Sequence, residues 1–229
     1  MSQNNNIRQQ LIEVYRLLLH RYGPQYWWPA DSPFEVIVGA ILTQSTSWIN
    51  VEKAILNLKS AGVLHPDSLR RLSHSELAEL IHPCGYYNSK AQKLKAFVEY
   101  LANAHHDSLN SLFSPDIPDL RKELIAIHGI GEETADSIIL YAARKPLFVV
   151  DAYTRRIITR TGLNSTENSY SAYQELFMNN LPHKEKLFNE YHALFVRHGK
   201  ETCKKNPSCN QCCLKGRCAW PQASVSSLR

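Results

Sequence analysis

Residues 124–156 read LIAIHGIGEETADSIILYAARKPLFVVDAYTRR, and the fold turns on them. Leu124, Ile125, Ile127 and Ile130 form an apolar helical face that runs into a turn, where Gly129 and Gly131 flank Ile130. Glycine permits positive φ and lets backbone approach a ligand closely. Beyond Gly131 the spacing of Ala135, Ile138, Ile139 and Ala142 predicts a second helix. The first N–H groups of a helix have no partner within it, and such a start favours an anion such as phosphate. From Gly-x-Gly alone, a plain helical corner that binds nothing reads the same way. Asp151 follows the apolar run Leu147-Phe148-Val149-Val150 and precedes a third helical pattern. Aspartate is a preferred N-cap. A carboxylate fixed at a half-buried helix start can also stabilise a developing cation or orient an attacking water.

The rest of the chain reads as further helices. Leu11, Val14, Tyr15, Leu18 and Leu19 give one stripe, and Ala91, Leu94, Phe97, Val98 and Leu101 another. The run from Phe34 to Thr43 predicts a buried helix, and Ser73-His74-Ser75-Glu76 a capping box. No strand pair and no internal repeat stand out, so the expected class is all-α. Net charge is +5, which suits a DNA-backbone partner. The polar start Met1–Asn6 lacks the apolar run of a signal peptide, and the stretch Val36–Leu42 is too short to span a bilayer. The expectation is a soluble intracellular protein, cytoplasmic or nucleoid-associated. It is expected to be a monomer, since no heptad seam is visible.

Five of the six cysteines lie at Cys203, Cys209, Cys212, Cys213 and Cys218. Cys203, Cys209, Cys212 and Cys218 read as C-x5-C-x2-C-x5-C, a spacing that can set four thiolates around one metal centre. Structural zinc also takes four thiolates. Lys204, Lys205, Lys215 and Arg217 decorate the loop, as a solvated face or as phosphate contacts. Three of the four tryptophans fall in one short region, in Tyr26-Trp27-Trp28-Pro29 and at Trp48. Such aromatics can be core. They can also form a stacking pocket for a base flipped out of duplex DNA, and indole faces attract cations.

The hairpin followed by Val149-Val150-Asp151 resembles the helix–hairpin–helix DNA glycosylases, the superfamily of endonuclease III. The resemblance runs from about Trp27 to Trp220. Leu42-Thr43-Gln44-Ser45-Thr46 is similar to the family's segment bearing a glutamine that probes the gap left by a flipped base. Gly85-Tyr86-Tyr87-Asn88-Ser89-Lys90-Ala91 is similar to its second wedge loop, with the intercalating position on Tyr86. His198-Gly199-Lys200-Glu201-Thr202-Cys203 resembles the lead-in to its iron–sulfur loop. By this resemblance Asp151 is the catalytic aspartate, and Gln44, Tyr86, Lys90, Gly129, Ile130, Gly131 and Thr134 bind DNA. Cys203, Cys209, Cys212 and Cys218 would then hold a 4Fe–4S cluster, with zinc the alternative and Cys213 spare. The first cysteine gap is one residue shorter than the family's. The partner would be double-stranded DNA containing a damaged base.

Endonuclease III has a lysine two residues after the second hairpin glycine, and its amine forms a Schiff base with the sugar. Here that position is Glu133, and a carboxylate cannot form one. The resemblance therefore implies a monofunctional glycosylase. The order Trp-Trp-Pro, Phe-Glu, Leu-Thr-Gln and then Trp48, together with Glu133, is similar to the 3-methyladenine branch. That likeness makes Trp27, Trp28, Pro29, Trp48 and Glu133 base-pocket candidates and alkylated purines the expected substrates. The alternatives are a glycosylase for oxidised pyrimidines or mismatched thymine or uracil, and a non-catalytic DNA-binding iron–sulfur protein. The family's architecture implies a helical barrel over 33–143, ending in the hairpin motif at about 121–143. Residues 1–32 and 144–221 would form a discontinuous second domain carrying Asp151 and the metal loop at 203–218. In that arrangement the two lobes flank a cleft, followed by a flexible tail at 222–229.

Overall fold

The computed structural model describes residues 2–163 and 167–220, with the backbone alone for residues 2–5; the tail expected to be flexible lies outside the described residues. The chain is helical, and no strand occurs among the described residues. It divides into two compact units, Trp28–Lys145 on one hand and Met1–Trp27 with Pro146–Arg229 on the other. The division cuts the aromatic run between Trp27 and Trp28, where the family pattern had suggested 32/33. No helix among the described residues is long and apolar enough to cross a membrane.

The chain begins with α1 (Ser2–Tyr22), which belongs to the discontinuous unit. The continuous unit then follows, with α2 (Pro33–Leu42), α3 (Trp48–Ser60), α4 (Pro66–Arg71), α5 (His74–Leu80), α6 (Tyr87–His105), α7 (Leu109–Leu112), α8 (Ile117–Ala126) and α9 (Glu132–Ser137). Ser32 caps α2 by accepting the Glu35 N–H at 3.2 Å, and Pro33 takes the first turn, where its missing N–H costs nothing. Every residue from Phe34 to Leu42 is buried, which explains why all of them but Glu35 lack a polar side chain. Ser73 and Glu76 form the reciprocal capping box that their spacing predicts. In the hairpin, Leu124, Ile127 and Ile130 are buried as expected, whereas Ile125 is exposed. It lies beside Leu124 on the helix but off its inward stripe.

The helix that starts after Gly131 does not stay regular. Ile138–Ala142 forms a π-helical turn, in which Ala143 N–H reaches the Ile138 carbonyl at 3.0 Å. Widening the turn buries all five residues of Ile138–Ala142, which a regular helix with one apolar stripe would not.

The discontinuous unit adds α10 (Ala152–Thr161), α11 (Tyr170–Met178) and α12 (Glu185–Glu201) to α1. Its core is aromatic. Phe148 stacks on Phe177 with centroids 3.7 Å apart, and Tyr191 sits edge-on to both. The buried Tyr191 hydroxyl donates to the Leu11 carbonyl at 2.7 Å, which ties α12 to α1. The α10 and α12 backbones approach closely because residue 199 is glycine. A Cβ there would lie 2.4 Å from Tyr153 Cδ1 and 2.8 Å from its Cβ. A Tyr153 whose own Cβ is in the way cannot escape by rotating its ring. Gly199→Ala should therefore lower stability by about 1–3 kcal/mol, read from the urea midpoint. An unchanged midpoint would mean that the helices slide apart freely.

Candidate active site and cysteine loop

Gly129 has φ +82°, and a Cβ there would come within 2.3 Å of Lys93 Cγ. Glycine is thus required twice, by conformation and by the lysine stem lying against the turn. Gly131 is extended, with open space around it, and serves as the N-cap of α9 without any side-chain cap. That leaves the start of α9 to backbone N–H groups, with Glu132 and Glu133 exposed on its first turn. Gln44 is drawn to the same turn: its amide donates to the Gly129 carbonyl at 3.1 Å and to Thr134 Oγ1 at 2.9 Å, and it accepts from Lys93 Nζ. Gln44, Gly129 and Thr134 therefore form one hydrogen-bonded cluster, with Thr134 buried beneath it. Lys93 is its unforeseen member. Nothing in the spacing distinguished it from other helix-surface lysines.

Tyr86 is 74% exposed and held at φ +47°, directly after Gly85 at φ +62°. A tyrosine in the left-handed region is strained, and such strain concentrates at functional loops. Lys90 corrects an expectation. It is 2% exposed, its ammonium donates to the Cys84 carbonyl at 2.8 Å, and burial pulls its pKa down. It buttresses the Gly85-Tyr86 turn from inside and cannot reach a phosphate.

Trp28, Pro29 and Trp48 line one cavity of about 310 Å³, together with Glu35, Gly39, Glu52 and Lys59. Trp28 meets Trp48 edge-on at 5.2 Å and lies against Gly39, where a Cβ would come within 3.1 Å of the indole. Tyr141 of the π-turn packs 5.2 Å from the same indole. Trp48 Nε1 donates to Glu52 Oε1 at 2.6 Å, one helical turn along α3, which fixes the ring. Glu35 is buried, and Lys59 bridges it to Asp31 at 2.7 Å each. Neither Trp27 nor Glu133 is among the residues that line this cavity. Glu35 entered the sequence reading only as part of the Phe-Glu element, and Glu52 was missed because charges at helical spacing usually mark a solvated face.

In the discontinuous unit, the segment Leu147–Val150 before Asp151 is buried and forms no regular secondary structure. Its polar backbone is paired by side chains: Gln174 donates to the Phe148 carbonyl at 2.7 Å, and Val150 N–H to Tyr170 Oη at 3.3 Å. Asp151 is itself buried and caps α10, with Oδ1 accepting the Thr154 N–H at 2.7 Å. Its other oxygen lies 3.7 Å from Nε2 of the buried His192. Burial favours the neutral imidazole and lowers its pKa, while the aspartate charge pulls the other way. The cap thus uses one oxygen and leaves the second for another role.

Cys203, Cys209, Cys212 and Cys218 line a single small cavity with Arg160, Thr202, Pro207 and Trp220; Cys213 does not line it. Arg160 holds the loop, donating to the carbonyls of Lys204 and Lys205 at 2.6 and 3.0 Å and to Cys203 Sγ at 3.2 Å. Burial pushes the Cys212 thiol up to about 11 and raises Cys218, so a metal must displace their protons. Among the described residues no three His, Cys, Asp or Glu side chains close on one ion-sized point. Four thiols around one cavity are a soft donor set of the kind that iron–sulfur clusters and zinc both take.

The chain matches the family model described as HhH-GPD superfamily base excision DNA repair protein over residues 38–183. It is 43% identical over 211 residues to a Methanocaldococcus jannaschii protein provisionally named a DNA repair glycosylase, covering 92% of this chain and 96% of that one. It is 30% identical to endonuclease III of Sulfolobus acidocaldarius, with 94% and 95% covered. Among solved structures, the H. pylori 3-methyladenine DNA glycosylase bound to 1,N6-ethenoadenine superposes with a TM-score of 0.72 at 26% identity, over 86% of this chain and 97% of that one.

Proposed function

The chain belongs to the HhH-GPD superfamily of base excision DNA repair proteins, and we propose that it is a monofunctional DNA glycosylase releasing alkylated purines such as 3-methyladenine from duplex DNA. The observation that carries this reading is the cavity walled by Trp28 and Trp48 with Glu35 and Glu52 beside them. Among the described lining residues the carboxylates Glu35 and Glu52 stand against the ammonium of Lys59, which is itself shared between Glu35 and Asp31. A planar ligand with positive charge suits indole faces and an excess of carboxylate. N3-alkylated adenine in DNA is such a ligand. The likeness to a 3-methyladenine glycosylase supports the same choice.

The chemistry follows from the residues. Backbone N–H groups at the start of α9 hold a phosphate near the lesion, and Tyr86 and Gln44 fill the gap left by the extruded nucleotide. The glycosidic bond breaks with its electron pair leaving on the cationic base, which departs neutral. The sugar becomes oxocarbenium-like. The oxygen of Asp151 that does not cap α10 stabilises that charge and orients the water that attacks C1′; the water's proton passes to the carboxylate and then to solvent. Glu133 stands where a Schiff-base lysine would be, so the reaction ends at the abasic site. Cys203, Cys209, Cys212 and Cys218 are read as ligands of a 4Fe–4S cluster. When bound, it supplies a covalent tie that holds Lys204, Lys205, Lys215 and Arg217 on one loop for phosphate contact.

The test uses duplexes carrying one lesion, split into samples with and without alkali. The proposal expects strand scission only after alkali, and no adduct trapped by borohydride. Scission without alkali would favour an endonuclease III-like activity, the reading that the Sulfolobus relative supports. Trp48→Ala should fold normally and lose roughly 10- to 100-fold in kcat/KM, from about 1–3 kcal/mol of base stacking. Unchanged kinetics would remove Trp48 from the pocket.

A further inference from the structure

A part-buried chain of polar contacts leads from the first helix to one cysteine of the loop. His198, on α12, is 1% exposed. Its Nδ1 lies 2.9 Å from the hydroxyl of Tyr22, the last residue of α1, and that hydroxyl lies 2.8 Å from Thr202 Oγ1. Its Nε2 lies 3.6 Å from Cys212 Sγ. The neighbouring Cys213 takes no part in the chain, and the Tyr22 ring is further held by Arg197, whose guanidinium lies 5.1 Å from its centroid.

We propose that His198 donates a hydrogen bond to Cys212 Sγ as a cluster ligand, and that Tyr22 and Thr202 fix the tautomer which allows it. This rests on the cluster reading above. A ligating cysteine is a thiolate and can only accept. A bare Nε2 lone pair facing it would be repulsive, so the imidazole proton must sit on Nε2 and Nδ1 must accept. Tyr22 then donates to Nδ1 and accepts the Thr202 hydroxyl proton, so that each of the three groups donates once along one direction. A donor on a ligand sulfur withdraws electron density and favours the reduced cluster, raising its potential. The tyrosine and threonine are positioning residues in this scheme, and His198 acts on the ligand rather than on DNA.

The experiment compares wild type, His198→Phe, His198→Gln and Tyr22→Phe as purified holoproteins. Iron content and visible absorbance report the cluster, and EPR-monitored redox titration reports its potential. The expected result for His198→Phe is full cluster content with a potential about 59 mV more negative, the one-electron equivalent of a tenfold lower reduced-to-oxidised ratio at the wild-type midpoint. Gln, which keeps an N–H, should recover part of that shift. Tyr22→Phe, which keeps the imidazole but frees its tautomer, should show a smaller shift in the same direction. Should His198→Phe not fold, the other two variants carry the test. Equal potentials across all folded variants overturn the hydrogen bond while leaving the cluster in place. Wild type that purifies with zinc instead of iron overturns the cluster reading, and the potential shift with it.

Discussion

Asp151→Asn should bind lesion-containing duplex as tightly as wild type and release base about a thousandfold more slowly. The substitution isolates charge. Asparagine caps helices as well as aspartate, and its Oδ1 can still accept the Thr154 N–H that Asp151 now takes at 2.7 Å. The start of α10 therefore survives, as does the buried run Phe148–Val150 before it. What disappears is the negative oxygen that faces His192 at 3.7 Å and is not spent on the cap. An amide neither stabilises an oxocarbenium-like sugar nor takes a proton from water. Single-turnover base release, with DNA affinity measured by fluorescence anisotropy on the same preparation, separates the two effects. A rate within a fewfold of wild type would reduce Asp151 to a helix cap.

Arg121→Ala should lose about 3 kcal/mol of stability and, with it, phosphate binding by the hairpin. Arg121 of α8 grips Asp136 of α9 across the turn, with Nε 2.7 Å from Oδ1 and Nη2 3.3 Å from Oδ2. Asp136 is 0% exposed. Deleting one partner of a buried pair costs about 3–5 kcal/mol because the other charge stays behind. The lower end applies here, since a quarter of the Arg121 side chain is exposed and solvent already screens it. The same guanidinium reaches Glu132 at 3.1 Å, on the first turn of α9, so its loss also loosens the helix start proposed above to hold a DNA phosphate. Urea denaturation and a salt-dependent DNA titration measure the two consequences. The paired change Arg121→Met with Asp136→Leu should recover most of the stability but not the binding. A single-variant loss below about 1 kcal/mol would show that the hairpin does not depend on this pair.

Local rules reached much of this molecule from its sequence. Ser73-x-x-Glu76 and the largely apolar run Phe34–Leu42 act over one or two turns, where capping and burial dominate, and both formed as read. Asp151 was legible as a cap for the same reason. The reading ran short where side chains from distant segments meet. Lys90 and Lys93 are three residues apart on α6 and look alike in sequence. One is buried under the Tyr86 turn, while the other lies along Gly129 and reaches Gln44. Likewise Trp28 and Trp48 of the aromatic run line one cavity, but Glu52 and Lys59 were not foreseen there, because a charge reveals its role only once its neighbours are known. The Tyr22–His198–Cys212 chain joins residues up to 190 positions apart in sequence, which no periodicity carries. The π-turn at Ile138–Ala142 had the apolar spacing of an ordinary helix, and only packing widened it.

The central claim, release of alkylated purines by this fold, is tested most directly by base release from dimethyl-sulfate-treated duplex DNA. The freed bases are separated by chromatography after incubation with wild type and with no protein. The account predicts enzyme-dependent 3-methyladenine in the wild-type sample and no strand scission until alkali is added. No released methylpurine, from protein that still binds DNA, would contradict it and leave the Trp28–Trp48 cavity as packing.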